Sequence, residues 1–142
     1  MRKIRVIVAV QPRSLLRVIE HLLGGQPELR IVARLSGNNR LSLTASAMLP
    51  ELIIANARFL GRECRKAIPE IKRASPGSKL ILLLCPFEGF ARETRDCGAD
   101  AYLEEEAIVR RLLPALGKLL RRPELSLSEA KGRIRVLSRM EQ

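Results

Sequence analysis

At 142 residues and 15.9 kDa the chain is the size of one domain. Apolar residues make up 46% and charged residues 29%, which excludes a disordered polyelectrolyte and leaves enough apolar surface for a core. The balance of 26 Lys and Arg against 15 Asp and Glu gives a net charge of +11, so polyanions, acidic protein surfaces and anionic lipids are the partners that charge alone suggests.

In chain order, Ile4 to Val10 is short and β-branched, closed by Gln11-Pro12, and reads as a strand buried on both faces. From Ser14, a plausible N-cap, Leu15, Val18, Ile19, Leu22 and Leu23 fall at helical spacing, and Gly24-Gly25 stops them. Leu29 to Leu35 reads as the second strand, and Leu41 to Leu49 as a short helix ended by Pro50. Glu51 to Ala55 is the third strand. A loop, Asn56 to Gly61, leads to a helix over about Arg62 to Ala74, ended by Ser75-Pro76-Gly77-Ser78. Lys79 to Cys85 is the most apolar strand and belongs near the sheet centre. A weaker helix is expected over Glu88 to Cys97, a brief strand at Ala101 to Leu103, and a last helix from Glu105 to Leu120, with Pro114 expected to kink it.

No apolar run approaches the roughly 20 residues of a membrane span, and Met1-Arg2-Lys3 leads into the first strand without a signal-peptide core. A cytoplasmic location is the expectation. Cys64, Cys85 and Cys97 have neither metal-site spacing nor an even count, and read as reduced packing residues; Cys85, following a Leu/Ile run, reads as buried and inert. His21, the single histidine, lacks a nearby cysteine or paired acid and reads as a helix-face residue.

Strands alternating with helices through short connections predict an α/β fold of the doubly wound, flavodoxin-like kind, a five-stranded parallel sheet with helices on both faces. Chemistry in such a sheet belongs at the carboxyl ends of the strands, at the switch in strand order. The residues that fall there are Val10, Gln11, Asn56, Leu84, Cys85 and Glu104 to Glu106.

Across residues 4 to about 121 the chain resembles the receiver domain of two-component response regulators. The resemblance rests on VIVAVQP, PELIIAN, the loop ending at Gly61, KLILLLC and, most of all, Cys97-Gly98-Ala99-Asp100-Ala101-Tyr102-Leu103. It implies a (βα)5 fold, an aspartate phosphoacceptor after the third strand, two acids holding magnesium after the first, a hydroxyl after the fourth and a lysine after the fifth. The matching positions hold Asn56, Val10 with Gln11, Leu84 and Glu105. An amide does not form an acyl phosphate, Val10 and Gln11 offer no hard anionic ligand, and Glu105 inverts the charge. No Asp, Thr or Lys lies within two positions of Asn56 or Leu84, so a register slip does not restore the set. The expectation is a non-enzymatic pseudo-receiver with no catalytic residue, metal or cofactor. Glu104 to Glu106 read as acids favouring a helix N-terminus.

Tyr102 matches the family's switch aromatic and reads as a packing or interface residue. The surface that dimerises in the family carries Phe90, Arg92, Arg95, Tyr102, Arg110 and Arg111 here, residue types that anchor interfaces. Residues 1–121 are therefore expected to form the receiver-like domain and 122–142 a basic tail or linker. Residues 107–142 carry nine Lys and Arg against three acids, whereas 1–106 carry seventeen against twelve. Ser128 caps an expected short amphipathic helix with Leu127, Ala130, Ile134 and Leu137 on one face. The expected function is phosphorylation-independent signalling through a protein partner or homodimer. The alternative is the N-terminal part of a DNA-binding regulator, or nucleic-acid binding by the tail itself; a complete helix-turn-helix is absent, and aromatics at 3% provide no stacking platform.

Overall fold

The computed structural model describes residues 3–37, 40–61, 64–85, 97–123 and 125. Five strands, β1 (Ile4–Ala9), β2 (Leu29–Leu35), β3 (Leu52–Asn56), β4 (Lys79–Leu84) and β5 (Ala101–Glu104), form one sheet in the order β2-β1-β3-β4-β5. Every pairing is parallel. The helices are α1 (Arg13–Gly24), α2 (Leu41–Met48), a single turn α3 (Ala57–Leu60), α4 (Cys64–Ala74) and α5 (Ile108–Leu119), the last entered through a 3-10 turn at Glu105–Ala107.

The period of two in the strands divides the core into two layers. Val6, Val8, Val10, Leu52, Ile54, Ile81 and Leu83 face α1 and α5; Ile7, Ala9, Ile53, Ala55, Leu80, Leu82 and Leu84 face α2, α3 and α4. This follows from right-handed crossovers: the chain moves one way from β1 to β2 and the other way from β2 through β3 to β4, so α1 falls on one face and α2, α3 and α4 on the other. The strand expected near the sheet centre, β4, is an interior strand next to the central β3. Truncating a fully buried residue such as Ile53 or Leu82 to Ala costs about 2–5 kcal/mol.

Several local expectations are corrected. Ser14 is not a cap: α1 begins one residue earlier, and the Pro12 carbonyl accepts from the amides of Leu15 and Leu16 at 3.0 and 3.3 Å. The segment after β3 is not a loop, since Asn56 extends the strand and caps α3. β1 and β2 slip by one residue between Val6 and Ile7, leaving Val32 unmatched in a bulge. Two helices run through a proline, α5 at Pro114 and α4 at Pro69. Both prolines are exposed, so the carbonyls they deprive of a donor lie on solvent faces.

Beyond α5, Leu125 is fully buried in the α1–α5 core layer. Arg122 N–H donates to the Gly117 carbonyl at 2.7 Å and Leu125 N–H to Arg122 at 3.1 Å. At this end of the sheet a small cavity of about 220 Å³ is lined by Lys3, Ile4, Glu51, Leu120 and Arg122. The helix expected up to Cys97 lies outside the described residues apart from Cys97 itself, as does the tail helix capped by Ser128. No helix among the described residues is long and apolar enough to cross a membrane.

Candidate functional site

The strand order switches between β1 and β3, and the crevice at their carboxyl ends brings Gln11, Asn56 and Glu105 together. Asn56 is wholly buried at the end of β3, where an unpaired amide would cost several kcal/mol, about 2–7 by transfer estimates. Each of its hydrogen-bonding capacities is used. Oδ1 accepts from Phe59 N–H at 3.0 Å and from Gln11 N–H at 3.2 Å. Nδ2 donates to the Gln11 carbonyl at 2.5 Å and to Glu105 Oε1 at 2.8 Å. Two acceptor and two donor sites are what a carboxamide possesses, so the site is closed by its own chain.

The neighbouring positions add no anionic ligand. Val10 is buried in the α1–α5 layer, its N–H donating to the Leu35 carbonyl at 3.1 Å. Leu84 ends β4 buried against the other layer. Glu104 and Glu106 are exposed, and only Glu105 turns its carboxylate to Asn56. Among the described residues no group of three His, Cys, Asp or Glu is placed to hold a metal ion. Cys85, expected to be buried and inert, is half-buried, with an Arg58 guanidinium nitrogen 4.0 Å from its sulfur.

The turn into β5 is built by the stretch that carries the resemblance. Gly98 takes φ +92°, which a side chain would strain. Asp100 accepts from the Leu80 amide at 2.7 Å and pairs with Lys72 of α4, which also donates to the Ser78 carbonyl at 3.0 Å. The Tyr102 hydroxyl accepts from the amides of Cys97, Gly98 and Ala99 at 3.1, 3.2 and 3.3 Å. Beside it lies an open cavity of about 460 Å³ lined by Leu84, Tyr102, Leu103, Glu104, Ala107 and Arg111. Arg110 and Arg111 are exposed on α5; Phe90, Arg92 and Arg95 lie outside the described residues.

Solved structures sharing this architecture include the response regulator RcsB of Salmonella typhimurium, at 18% identity and a TM-score of 0.69, with 92% of this chain and 68% of that one covered. The signal receiver domain of the putative response regulator NarL from Mycobacterium tuberculosis superposes at 12% identity and a TM-score of 0.64, covering 94% and 98%. A LuxR-family two-component response regulator from an Aurantimonas species gives 16%, 0.68, and 93% and 99%. The fold is that of a receiver domain. No protein-family model matches the chain, and no curated protein matches it significantly. The Asn56–Glu105 contact is one that sequence alone does not reveal: the two residues lie 49 positions apart, yet an amide donor beside a carboxylate acceptor is a complementary pair.

Proposed function

We propose that this chain is a pseudo-receiver, a regulatory module that uses the receiver fold for protein contact and dispenses with phosphoryl transfer. The observation that carries this reading is the saturated Asn56 carboxamide, whose lone pairs and hydrogens are all engaged with Phe59, Gln11 and Glu105. An amide nitrogen that donates twice in a buried site has neither the nucleophilicity nor the charge to attack phosphorus. Gln11 and Val10 would give magnesium no carboxylate, and Glu105 would repel a phosphoryl group where the family's lysine attracts one. The module is therefore not an enzyme in this reading. Its contact surface is the side formed by Tyr102, Arg110 and Arg111, and its occupant is a protein partner or a second copy.

Incubation with magnesium and acetyl phosphate or phosphoramidate is expected to leave the intact mass unchanged. A stable gain of about 80 Da per chain would overturn the reading. Sedimentation over a concentration series tests the contact surface, since a second copy on that side gives a dimer that charge reversal at Arg110 and Arg111 disperses.

A second reading is favoured by one further observation. The chain covers 68% of the RcsB chain, a protein whose structure is described in terms of DNA interaction, and residues 107–142 here are strongly basic. On that reading residues 1–121 are the regulatory domain and residues 122–142 the link to, or part of, a nucleic-acid-binding element. A fluorescence anisotropy titration with duplex DNA decides it: phosphate-driven binding weakens steeply, by orders of magnitude, between about 50 and 200 mM salt.

A further inference from the structure

Cys64 opens α4 and Cys97 opens the turn into β5, 33 residues later, yet their sulfurs stand 3.1 Å apart. Each residue is only 3% exposed, in the core layer beneath α4. Little more than about 1 Å of further approach separates this contact from the roughly 2.05 Å of a disulfide bond. The third thiol, Cys85, is half-buried and faces Arg58, so the pairing is selective within the chain. We propose that Cys64 and Cys97 are a modification site, a dithiol that a peroxide converts to an intramolecular disulfide.

The chemistry balances in two steps. One thiolate attacks a peroxide oxygen, the O–O bond breaks, and the sulfur becomes a sulfenic acid while the other oxygen leaves as water after protonation. The second sulfur then attacks the first, an S–S bond forms, the S–O bond breaks, and the hydroxyl departs with the second thiol's proton as another water. Two thiols are oxidised by two electrons and one peroxide is reduced to two waters. Burial favours an oxidant of this size over a bulky disulfide, because only a small molecule reaches sulfurs so enclosed.

The bond would tie α4 to a turn that matters to the rest of the domain. The amide of Cys97 is one of three that hold the Tyr102 hydroxyl, and Asp100 in the same turn is already paired with Lys72 of α4. Oxidation adds a covalent link in parallel with that ion pair. The setting of Tyr102, on the surface proposed for partner contact, then responds to the redox state of two buried sulfurs. The thiol pair itself stands on geometry independent of the Asn56 pocket.

The test uses the full chain, reduced and then treated with hydrogen peroxide, followed by alkylation without reductant and mass spectrometry. The expected product is a monomer about 2 Da lighter before alkylation, carrying one alkyl group on Cys85 instead of three, with the peptides of Cys64 and Cys97 linked until a reductant separates them. Its melting temperature is expected to rise by about 5–10 °C, from the closed loop in the unfolded chain. Cys85→Ser is expected to keep the mass loss and the shift, whereas Cys64→Ser or Cys97→Ala abolishes both. Three alkylated thiols after peroxide, gains of about 16 Da without the loss of 2 Da, or linkage through Cys85 would each overturn the proposal, and the wild-type peptide map decides it even where a variant folds poorly.

Discussion

The Asn56 carboxamide donates to the Glu105 carboxylate across 2.8 Å, joining the end of β3 to the turn after β5. Where the resemblance implies an aspartate after the third strand and a lysine after the fifth, Asn56 here is the donor and Glu105 the acceptor.

Asn56→Asp is expected to destabilise the domain by about 2–4 kcal/mol in urea unfolding at neutral pH, because both Nδ2 donors vanish and a second carboxylate is set against Glu105. Glu105→Lys alone removes the acceptor and costs about 1–2 kcal/mol. The double variant is expected to recover most of the loss, with a coupling above about 1 kcal/mol. Additive losses would reject the pairing. Acetyl phosphate is expected to leave Asn56→Asp unmodified, since magnesium ligands at Val10 and Gln11 are still lacking.

Millimolar magnesium, calcium or manganese is expected to leave the melting temperature unchanged. A ligand at a hundred times its dissociation constant adds about 2.7 kcal/mol, several degrees for a domain of this size, so the experiment resolves real binding. A magnesium-specific rise lost in Glu105→Gln would mean that the Glu104 to Glu106 run holds the cation.

Tyr102→Phe removes the one oxygen that accepts from three consecutive amides. The cost is expected to be about 1–2 kcal/mol, moderated because Gly98 is exposed and its amide regains water. Hydrogen exchange is expected to accelerate at Cys97 and Ala99; unchanged exchange there would show that water replaces the phenol without loss.

Two backbone positions predict shifts of opposite sign. Leu49 ends α2 at φ +46° with its side chain 61% exposed, so Leu49→Gly relieves left-handed strain at little packing cost and is expected to stabilise by about 1 kcal/mol. At Gly117 an added Cβ would stand 2.8 Å from the Arg122 carbonyl oxygen. Gly117→Ala is therefore expected to destabilise by about 1–3 kcal/mol despite its better helix propensity. Paired thermal melts check both signs.

The strands are legible in the sequence because a parallel sheet buried on both faces demands short β-branched or Leu-rich runs, and β2 matches its expected bounds of Leu29 and Leu35. Boundaries shift where backbone chemistry competes with pattern. α1 starts from Pro12 with no side-chain cap, its first bonds going to the Pro12 carbonyl, and the Asn56 side chain turns an expected loop into a capped helical turn. Long-range pairs are hidden for another reason. Nothing in the spacing of Cys64 and Cys97, or of Asn56 and Glu105, indicates contact, because strand order and register bring them together. The Gly98-Ala99-Asp100 stretch carries the family resemblance, and its role in the structure is mechanical, with Gly98 supplying the positive φ and Asp100 clamping the first residues of β4.

Leu125, seated in the α1–α5 layer near Gly117, fixes the point from which the remaining seventeen residues depart. That point lies by the amino ends of the strands, near Lys3, Ile4 and Glu51, while Gln11, Asn56 and Glu105 lie at the carboxyl ends. A six-residue strand spans about 20 Å. Leu125 is thus at the opposite end of the sheet from the crevice, and α5 runs between the two, its first turn following Glu105 and its last turn leading to Arg122 and Leu125.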